Sequence, residues 1–143
     1  SIHVFSGDYD LAYAYSDEAY EISSKIDNIW GKSYSRYAIG FVDMERGHVD
    51  LAIRNFEQSI KDARKANFLV GEILTKGWLS IMYSQYGHYQ QAENTISSMF
   101  IEQPKNVELM KPFFIGAQLL SLVLAGKVNE ADEFIRMAYR QEC

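Results

Sequence analysis

The stretch Gly47-His48-Val49-Asp50-Leu51-Ala52 decides the fold of this chain, because its pattern of a glycine followed five residues later by an alanine recurs along the whole sequence. The recurring glycines are spaced by 40, 40 and 39 residues. A fixed period of this length indicates a repeated supersecondary unit whose copies stack on one another. The four occurrences run from Gly7 to Ala12, from Gly47 to Ala52, from Gly87 to Ala92 and from Gly126 to Ala131.

Each repeat is predicted to be a pair of helices joined by a tight turn at the glycine, which adopts a helix-ending left-handed conformation without steric cost. After each glycine, apolar residues return at intervals of three and four, which is typical of a helix with one buried face. The alanine has to be small so that the paired helices approach closely. We predict an all-α fold of seven helices and no strands, over residues 8–26, 29–46, 48–66, 68–86, 88–100, 106–125 and 127–141.

Glycines also occur in the middle of three predicted helices, at Gly40, Gly77 and Gly116. A glycine in a helix interior costs about 1 kcal/mol relative to alanine. We therefore expect a neighbouring helix to pack closely against the backbone at each of these positions.

Composition and charge exclude several classes of protein. The chain has 143 residues and a net charge of −5, which opposes nucleic-acid binding because no excess of cations is available to neutralise phosphates. The most apolar stretch, residues 112–126, is shorter than the roughly 20 residues that span a bilayer. No signal peptide is visible at Ser1–Ser6, and the single Cys143 suits a reducing compartment. We predict a cytoplasmic protein without nucleic-acid or membrane partners.

The sequence contains no glycine-rich phosphate loop, no Gly-x-Ser-x-Gly elbow and no His-Glu-x-x-His helix. His48 and His88 suggest a metal pair, but they occupy equivalent repeat positions and are interpreted as helix starts. Asp8 and Asp10 suggest a calcium loop, but the required Asp-x-Asp-x-Asp-Gly order with a distal glutamate is absent. They are interpreted as the start of a helix, where acidic residues are favoured by the helix dipole. We therefore expect no catalytic residue, no metal and no cofactor.

Helical hairpins of about 40 residues with this Gly-x-x-x-x-Ala turn resemble the longer variant of the tetratricopeptide repeat. Gly47, Ala52, Phe56 and the position of Pro104 fit the family pattern. The resemblance implies a right-handed superhelix, typical of sensor or scaffold arms of bacterial signal-transduction ATPases, transcriptional activators and multidomain cyclases. It divides residues 1–143, as one domain, into a partial repeat 1–26 and repeats of about 27–66, 67–105 and 106–143.

The first repeat lacks most of its first helix, because only six residues precede Gly7. We expect the chain to be part of a longer protein. Helix 8–26 would then expose an apolar face with Leu11, Tyr13, Tyr15 and Tyr20, and such a patch promotes association between copies. A homodimer through this helix is predicted.

In the tetratricopeptide family the first helix of each hairpin lines a concave groove. The resemblance implies an aromatic and apolar groove here, which suits an apolar peptide or helix. The alternative is that a tight superhelix buries the same side chains within itself. The groove positions are Tyr34, Tyr37, Phe41, Glu45, Leu74, Ile81, Gln85, Phe113 and Leu120.

Two other groups of residues have competing interpretations. Lys32, Arg36 and Lys76 either form a small basic strip for an anionic ligand or pair with acidic residues of an adjacent helix, which is the commoner role of such side chains. Trp30 and Trp78 are expected in the core between repeats, where an indole buries a large area.

The leading functional hypothesis is a non-catalytic interaction or scaffold module of a larger bacterial regulatory protein. The alternative is a sensor domain that binds a peptide or small molecule in the aromatic groove. The second hypothesis predicts a deep enclosed pocket near Tyr34, Tyr37 and Phe41, whereas the first predicts an open surface.

Overall fold

The computed structural model of the protein describes residues 7–101 and 110–140. Those residues form seven helices and no strand, which confirms the all-α prediction. The predicted bounds agree to within one residue, except at the start of the sixth helix, whose residues 106–109 lie outside the described ranges. Pro104, His3 and Cys143 also lie outside them. The helices are α1 (Tyr9–Lys25), α2 (Ile29–Glu45), α3 (Val49–Lys65), α4 (Leu69–Gln85), α5 (Tyr89–Ile101), α6 (Lys111–Leu124) and α7 (Val128–Arg140).

The turns at Gly47, Gly87 and Gly126 share one geometry. Gly47 has a φ of +75°, and its N–H donates to the carbonyl of Met44 at 3.0 Å. The next N–H, that of His48, donates to the carbonyl of Asp43 at 2.8 Å. Together these bonds form a Schellman motif, which satisfies the last carbonyls of the helix. The other repeat glycines have φ values of +78° at Gly7, +79° at Gly87 and +74° at Gly126.

Two further turns of the same geometry have no glycine. Asp27 and Asn67 adopt φ values of +53° and +51°. The N–H groups of the residues after them, Asn28 and Phe68, donate to the carbonyls of Ser23 and Ala63, each at 2.8 Å. Aspartate and asparagine tolerate this conformation better than other side chains do. Helices α1 to α4 are 17 residues each, so a left-handed residue recurs every 20 positions from Gly7 to Gly87.

The alanines of the repeated pattern are all buried, as the close approach of paired helices requires. Ala12 and Ala52 have no exposed surface, and Ala92 and Ala131 are 2% and 6% exposed. The expectation for the mid-helix glycines holds at two of three positions. A Cβ at Gly40 would lie 2.9 Å from Cδ1 of Phe56, and one at Gly77 would collide with the ring of Phe113. The expectation is wrong for Gly116, where nothing lies within 4 Å of an added Cβ.

The chain divides into two compact units, Ser1–Thr75 and Lys76–Cys143, with the boundary inside α4. In the first unit α1 packs on α2 and α2 on α3, around a core that includes Val42, Phe56 and Ala63. In the second unit α5 packs on α6 and α6 on α7, around a core that includes Met82 and Phe114.

Buried hydroxyl groups join α2, α3 and α4 in the first unit. Oγ of Ser33 donates to the carbonyl of Ser59 at 3.0 Å, and Oγ of Ser59 donates to the carbonyl of Ser33 at 2.8 Å. The same Ser59 hydroxyl lies 3.3 Å from Oγ1 of Thr75, which donates to the carbonyl of Gly71 at 2.7 Å. Small polar side chains thus let these helices approach closely while the hydroxyls of Ser33, Ser59 and Thr75 each have a hydrogen-bond partner.

Two glycine-to-alanine substitutions test the turn geometry against helix propensity. Gly47→Ala is expected to lower the free energy of unfolding by about 1 kcal/mol, because a Cβ is unfavourable at positive φ. Gly116→Ala is expected to raise it by about 0.5–1 kcal/mol, because alanine is the better helix former.

Neither added methyl group meets another part of the chain within 4 Å, so only local backbone effects enter the comparison. Urea unfolding followed by circular dichroism measures both values. A neutral or stabilising Gly47→Ala would show that the turn does not require the left-handed conformation.

Candidate ligand-binding surface

Four aromatic residues lie along one face of α2, at intervals of four, three and four residues, and we call them the aromatic strip: Trp30, Tyr34, Tyr37 and Phe41. Their successive ring centroids are 5.8, 6.0 and 6.4 Å apart. The first two rings are stacked, with an interplanar angle of 7°. Residues at these spacings are neighbours on a helix surface, and ring separations of this size are favourable. The structure therefore brings Tyr34, Tyr37 and Phe41 into one continuous row.

Exposure falls along the aromatic strip. Trp30 is 49% exposed, Tyr34 is 42% exposed, Tyr37 is half-buried, and Phe41 is 9% exposed. Near its buried end the strip contacts the core residue Phe56, whose ring centroid lies 6.3 Å from that of Tyr37. The strip is thus a surface at one end and part of the core at the other.

The prediction that Trp30 belongs to the core is wrong. Its indole lies at the exposed end of the strip, 4.7 Å from the ring centroid of Phe68. The expected burial followed from side-chain size, but the position of Trp30 near the start of α2 leaves half of its surface uncovered. Trp78, in the second unit, is half-buried, with its ring centroid 6.3 Å from that of Phe113.

Glu45 ends α2 and is exposed. Its carboxylate accepts a hydrogen bond from the phenol of Tyr9 at 3.3 Å. The pKa of Tyr9 is raised above its ordinary value, because the phenol is partly desolvated and because its ionised form would face the negative charge of Glu45. Glu45 therefore places a carboxylate one turn beyond the buried end of the aromatic strip.

The other predicted groove residues differ in exposure. Leu74, in the first unit, is half-buried. In the second unit Ile81 is 8% exposed and Phe113 is half-buried over Gly77. Leu120, which is 40% exposed, and Gln85 remain accessible.

The predicted basic strip does not form as a row of accessible cations. Lys32 pairs with Asp27 at 3.2 Å, and Arg36 lies 3.5 Å from Asp62 of α3. Lys76 is only 4% exposed. Of the two interpretations of these cations, pairing with acidic residues therefore fits Lys32 and Arg36.

The histidines and aspartates beside the repeat glycines lie at helix starts. Asp8 accepts a hydrogen bond from the N–H of Leu11 at 3.2 Å, as an N-terminal cap. His48 precedes α3, with Nδ1 3.5 Å from Asp43, and His88 precedes α5. Within residues 7–101 and 110–140, no group of three histidine, cysteine, aspartate or glutamate side chains is arranged to hold a metal ion.

None of the helices in the described part of the chain is both long and apolar enough to cross a membrane. No protein-family model matches the chain, and comparison with curated proteins and with solved structures finds no similar protein. The aromatic strip and its surroundings are therefore the observations on which a functional proposal rests.

The contact between Tyr9 and Glu45 gives a spectroscopic test of the carboxylate at the end of α2. Glu45→Gln is expected to lower the pKa of Tyr9 towards its ordinary value, because the neutral amide no longer opposes the phenolate charge. NMR titration of the Tyr9 ring signals measures the pKa in both proteins.

Glu57→Gln, which neutralises an exposed carboxylate of α3, is the control and should leave the pKa of Tyr9 unchanged. An identical Tyr9 titration in the wild type and in Glu45→Gln would contradict the contact.

Proposed function

We propose that this chain is a non-catalytic interaction module of tetratricopeptide-like hairpins, stacked as a right-handed superhelix within a larger bacterial regulatory protein. In this proposal the aromatic strip binds an apolar segment of a partner protein. The observation that carries the proposal is the row of ring contacts that ends in two large, exposed aromatic side chains, Trp30 and Tyr34.

The physical properties of the strip suit protein recognition. Tryptophan and tyrosine dominate binding energy at protein interfaces, because they bury a large area with few rotatable bonds. Stacking between Trp30 and Tyr34 and the contact with Phe68 hold the exposed rings in place before a partner arrives. A partner therefore loses less free energy in ordering this surface than it would on isolated, mobile side chains.

The charge at the end of α2 adds a requirement on the partner. Glu45 lies about 22 Å along the helix from Trp30, at about 1.5 Å per residue. The whole chain carries a net charge of −5. A partner segment with apolar residues along the strip and a lysine or arginine near Glu45 would complement both features.

The alternative function is a sensor that encloses a peptide or small molecule in an aromatic groove. Small-molecule sites bury 70–90% of a drug-sized ligand. The exposure of Trp30 and Tyr34 favours an extended segment lying across an open surface instead. The sensor therefore remains the second proposal.

Self-association through α1 is a separate part of the proposal. Of the face predicted from the sequence, Tyr13 and Tyr15 are 37% and 52% exposed, whereas Leu11 and Tyr20 are half-buried, so the prediction is wrong for these two. Beside Tyr15, Ile22 and Ile26 are 51% and 68% exposed. Together with Tyr15 and the exposed Ala19 they form a stripe along the helix at intervals of four, three and four residues. This order of intervals is the same from either end of the stripe. Two antiparallel copies of α1 would therefore match stripe to stripe, and Glu18 of one copy would lie beside Lys25 of the other.

Substitution of the two exposed aromatic residues tests the partner-binding proposal. The probe is a pool of random 12-residue peptides displayed on phage and selected on the wild-type protein. Selected peptides are expected to carry aromatic or aliphatic residues and to bind Trp30→Ala/Tyr34→Ala at least about tenfold more weakly, since anchors of this kind each contribute about 2 kcal/mol or more.

Tyr86→Ala is the matched control, because Tyr86 is a 48% exposed aromatic residue outside the strip. Selection of peptides that bind the double variant as tightly as the wild type would contradict the proposal. Titration by fluorescence anisotropy with the synthetic peptides supplies the dissociation constants.

The self-association proposal predicts a dimer in solution. Light scattering coupled to size exclusion should give twice the chain mass for the wild type at about 100 µM and the chain mass for Ile22→Glu/Ile26→Glu, because two buried carboxylates per copy oppose contact. Val70→Glu, at a 44% exposed valine of α4, is the control and should remain dimeric. A monomeric wild type would exclude this interface.

A further inference from the structure

A cleft of about 400 Å³ opens along α3 in the first unit, on residues that the aromatic strip does not use. Three of its lining side chains are cations, Arg36, Arg54 and Lys61, and a single one, Glu57, is a carboxylate. We call it the cationic cleft. The net charge of its lining is positive, whereas the whole chain carries a net charge of −5. The volume of the cleft lies in the range of small-molecule sites.

Arg36 is held rigidly at the cleft. Its guanidinium lies over the ring of Tyr20, 4.4 Å from the centroid, and Nη2 donates to the Tyr20 hydroxyl at 2.6 Å. Nε is buried and lies 3.5 Å from Asp62, without a hydrogen bond. Asp62 offsets part of the charge of Arg36 and fixes its orientation, so the guanidinium is already ordered before a ligand binds.

Arg54 and Lys61 complete the cationic set from one face of α3. They are seven residues apart, about 10 Å along the axis, and both are exposed. Within the described part of the chain neither side chain engages in an ion pair. Two exposed cations therefore flank one fixed guanidinium, an arrangement that can surround a compact anion.

The remaining walls of the cleft supply hydrogen-bond acceptors and an apolar contact. The side-chain nitrogen of Asn55 donates to Asp43 at 3.0 Å, and that of Gln58 donates to Asp62 at 3.1 Å. These bonds orient both amides and leave their oxygens able to accept hydrogen bonds from hydroxyl groups. Leu51, which is 44% exposed, adds an apolar surface at the rim.

We propose that the cationic cleft binds a small, hydroxyl-bearing phosphate monoester. The phosphate lies between Arg36, Arg54 and Lys61, where the guanidinium of Arg54 can match phosphate oxygens through paired hydrogen bonds and the charges of Arg36 and Lys61 add to the attraction. The carbon skeleton lies over Leu51, and its hydroxyl groups donate to Asn55 and Gln58. This site is independent of peptide binding at the aromatic strip.

The experiment is a titration of the whole chain with glucose 6-phosphate, inorganic phosphate and glucose, followed by ¹H–¹⁵N NMR. Glucose 6-phosphate is expected to bind saturably and to shift the signals of Arg36, Arg54, Gln58 and Lys61. Inorganic phosphate is expected to shift the same signals with weaker affinity, and glucose is expected to shift none.

Two variants of exposed residues decide whether the cleft is responsible. Arg54→Gln/Lys61→Gln is expected to raise the dissociation constant of glucose 6-phosphate at least about tenfold, since it removes two cations that make charge-assisted hydrogen bonds to the phosphate. Lys65→Gln removes an exposed cation one turn beyond Lys61, outside the cleft, and is expected to leave the constant unchanged.

Several outcomes would overturn the proposal. These are the absence of saturable binding, an equal loss in Lys65→Gln and in the cleft variant, and equal affinity for inorganic phosphate and the ester. Tighter binding of an oligo-aspartate peptide than of the ester would assign the cleft to an acidic protein segment instead. Peptide binding at the aromatic strip is measured separately in the cleft variant, so the two proposals fail or succeed independently.

Discussion

The left-handed residue that follows α1, α2, α3, α4 and α6 is the constraint on which the rest of the structure depends. It reverses the chain within three residues and lets two N–H groups satisfy carbonyls that the helix leaves open. Because the next helix begins at once, its first turn presents a small alanine to the helix before it, and Ala52 is fully buried there. The pairing of helices thus starts at the turn, and the faces that remain outside the pairing are available for other contacts.

The sequence predicts this part of the structure well, because glycine marks the left-handed position almost by itself. The predicted helix bounds leave breaks at Asp27 and Asn67, but they do not predict the left-handed conformation there, since aspartate and asparagine occur in many other contexts and adopt it without being required for it. Gly116 is a case in which the sequence predicts a close contact that the structure does not have. A glycine inside a helix suggests a close neighbour, yet only the packed structure shows that Gly40 has one and Gly116 does not.

The candidate surfaces were harder to predict than the helices. Periodicity placed Tyr34, Tyr37 and Phe41 in one row, but it contains no information on how exposure changes from one end of a helix to the other. The cationic cleft had no sequence signal as a site. Arg54 and Lys61 look like ordinary solvated charges, and Arg36 joins them only because α2 packs against α3. Sites assembled across a hairpin depend on packing that local spacing does not encode.

The reciprocal hydrogen bonds between Ser33 and Ser59 have a mechanical consequence. Each hydroxyl reaches the carbonyl of the other residue, so α2 and α3 are locked in a single register along their axes. Sliding one helix past the other by a turn, about 5.4 Å, would break both of these hydrogen bonds and take each buried hydroxyl away from its partner on the other helix. This hairpin therefore resists sliding of one helix along the other. A force applied along the axis at one end would displace both helices together.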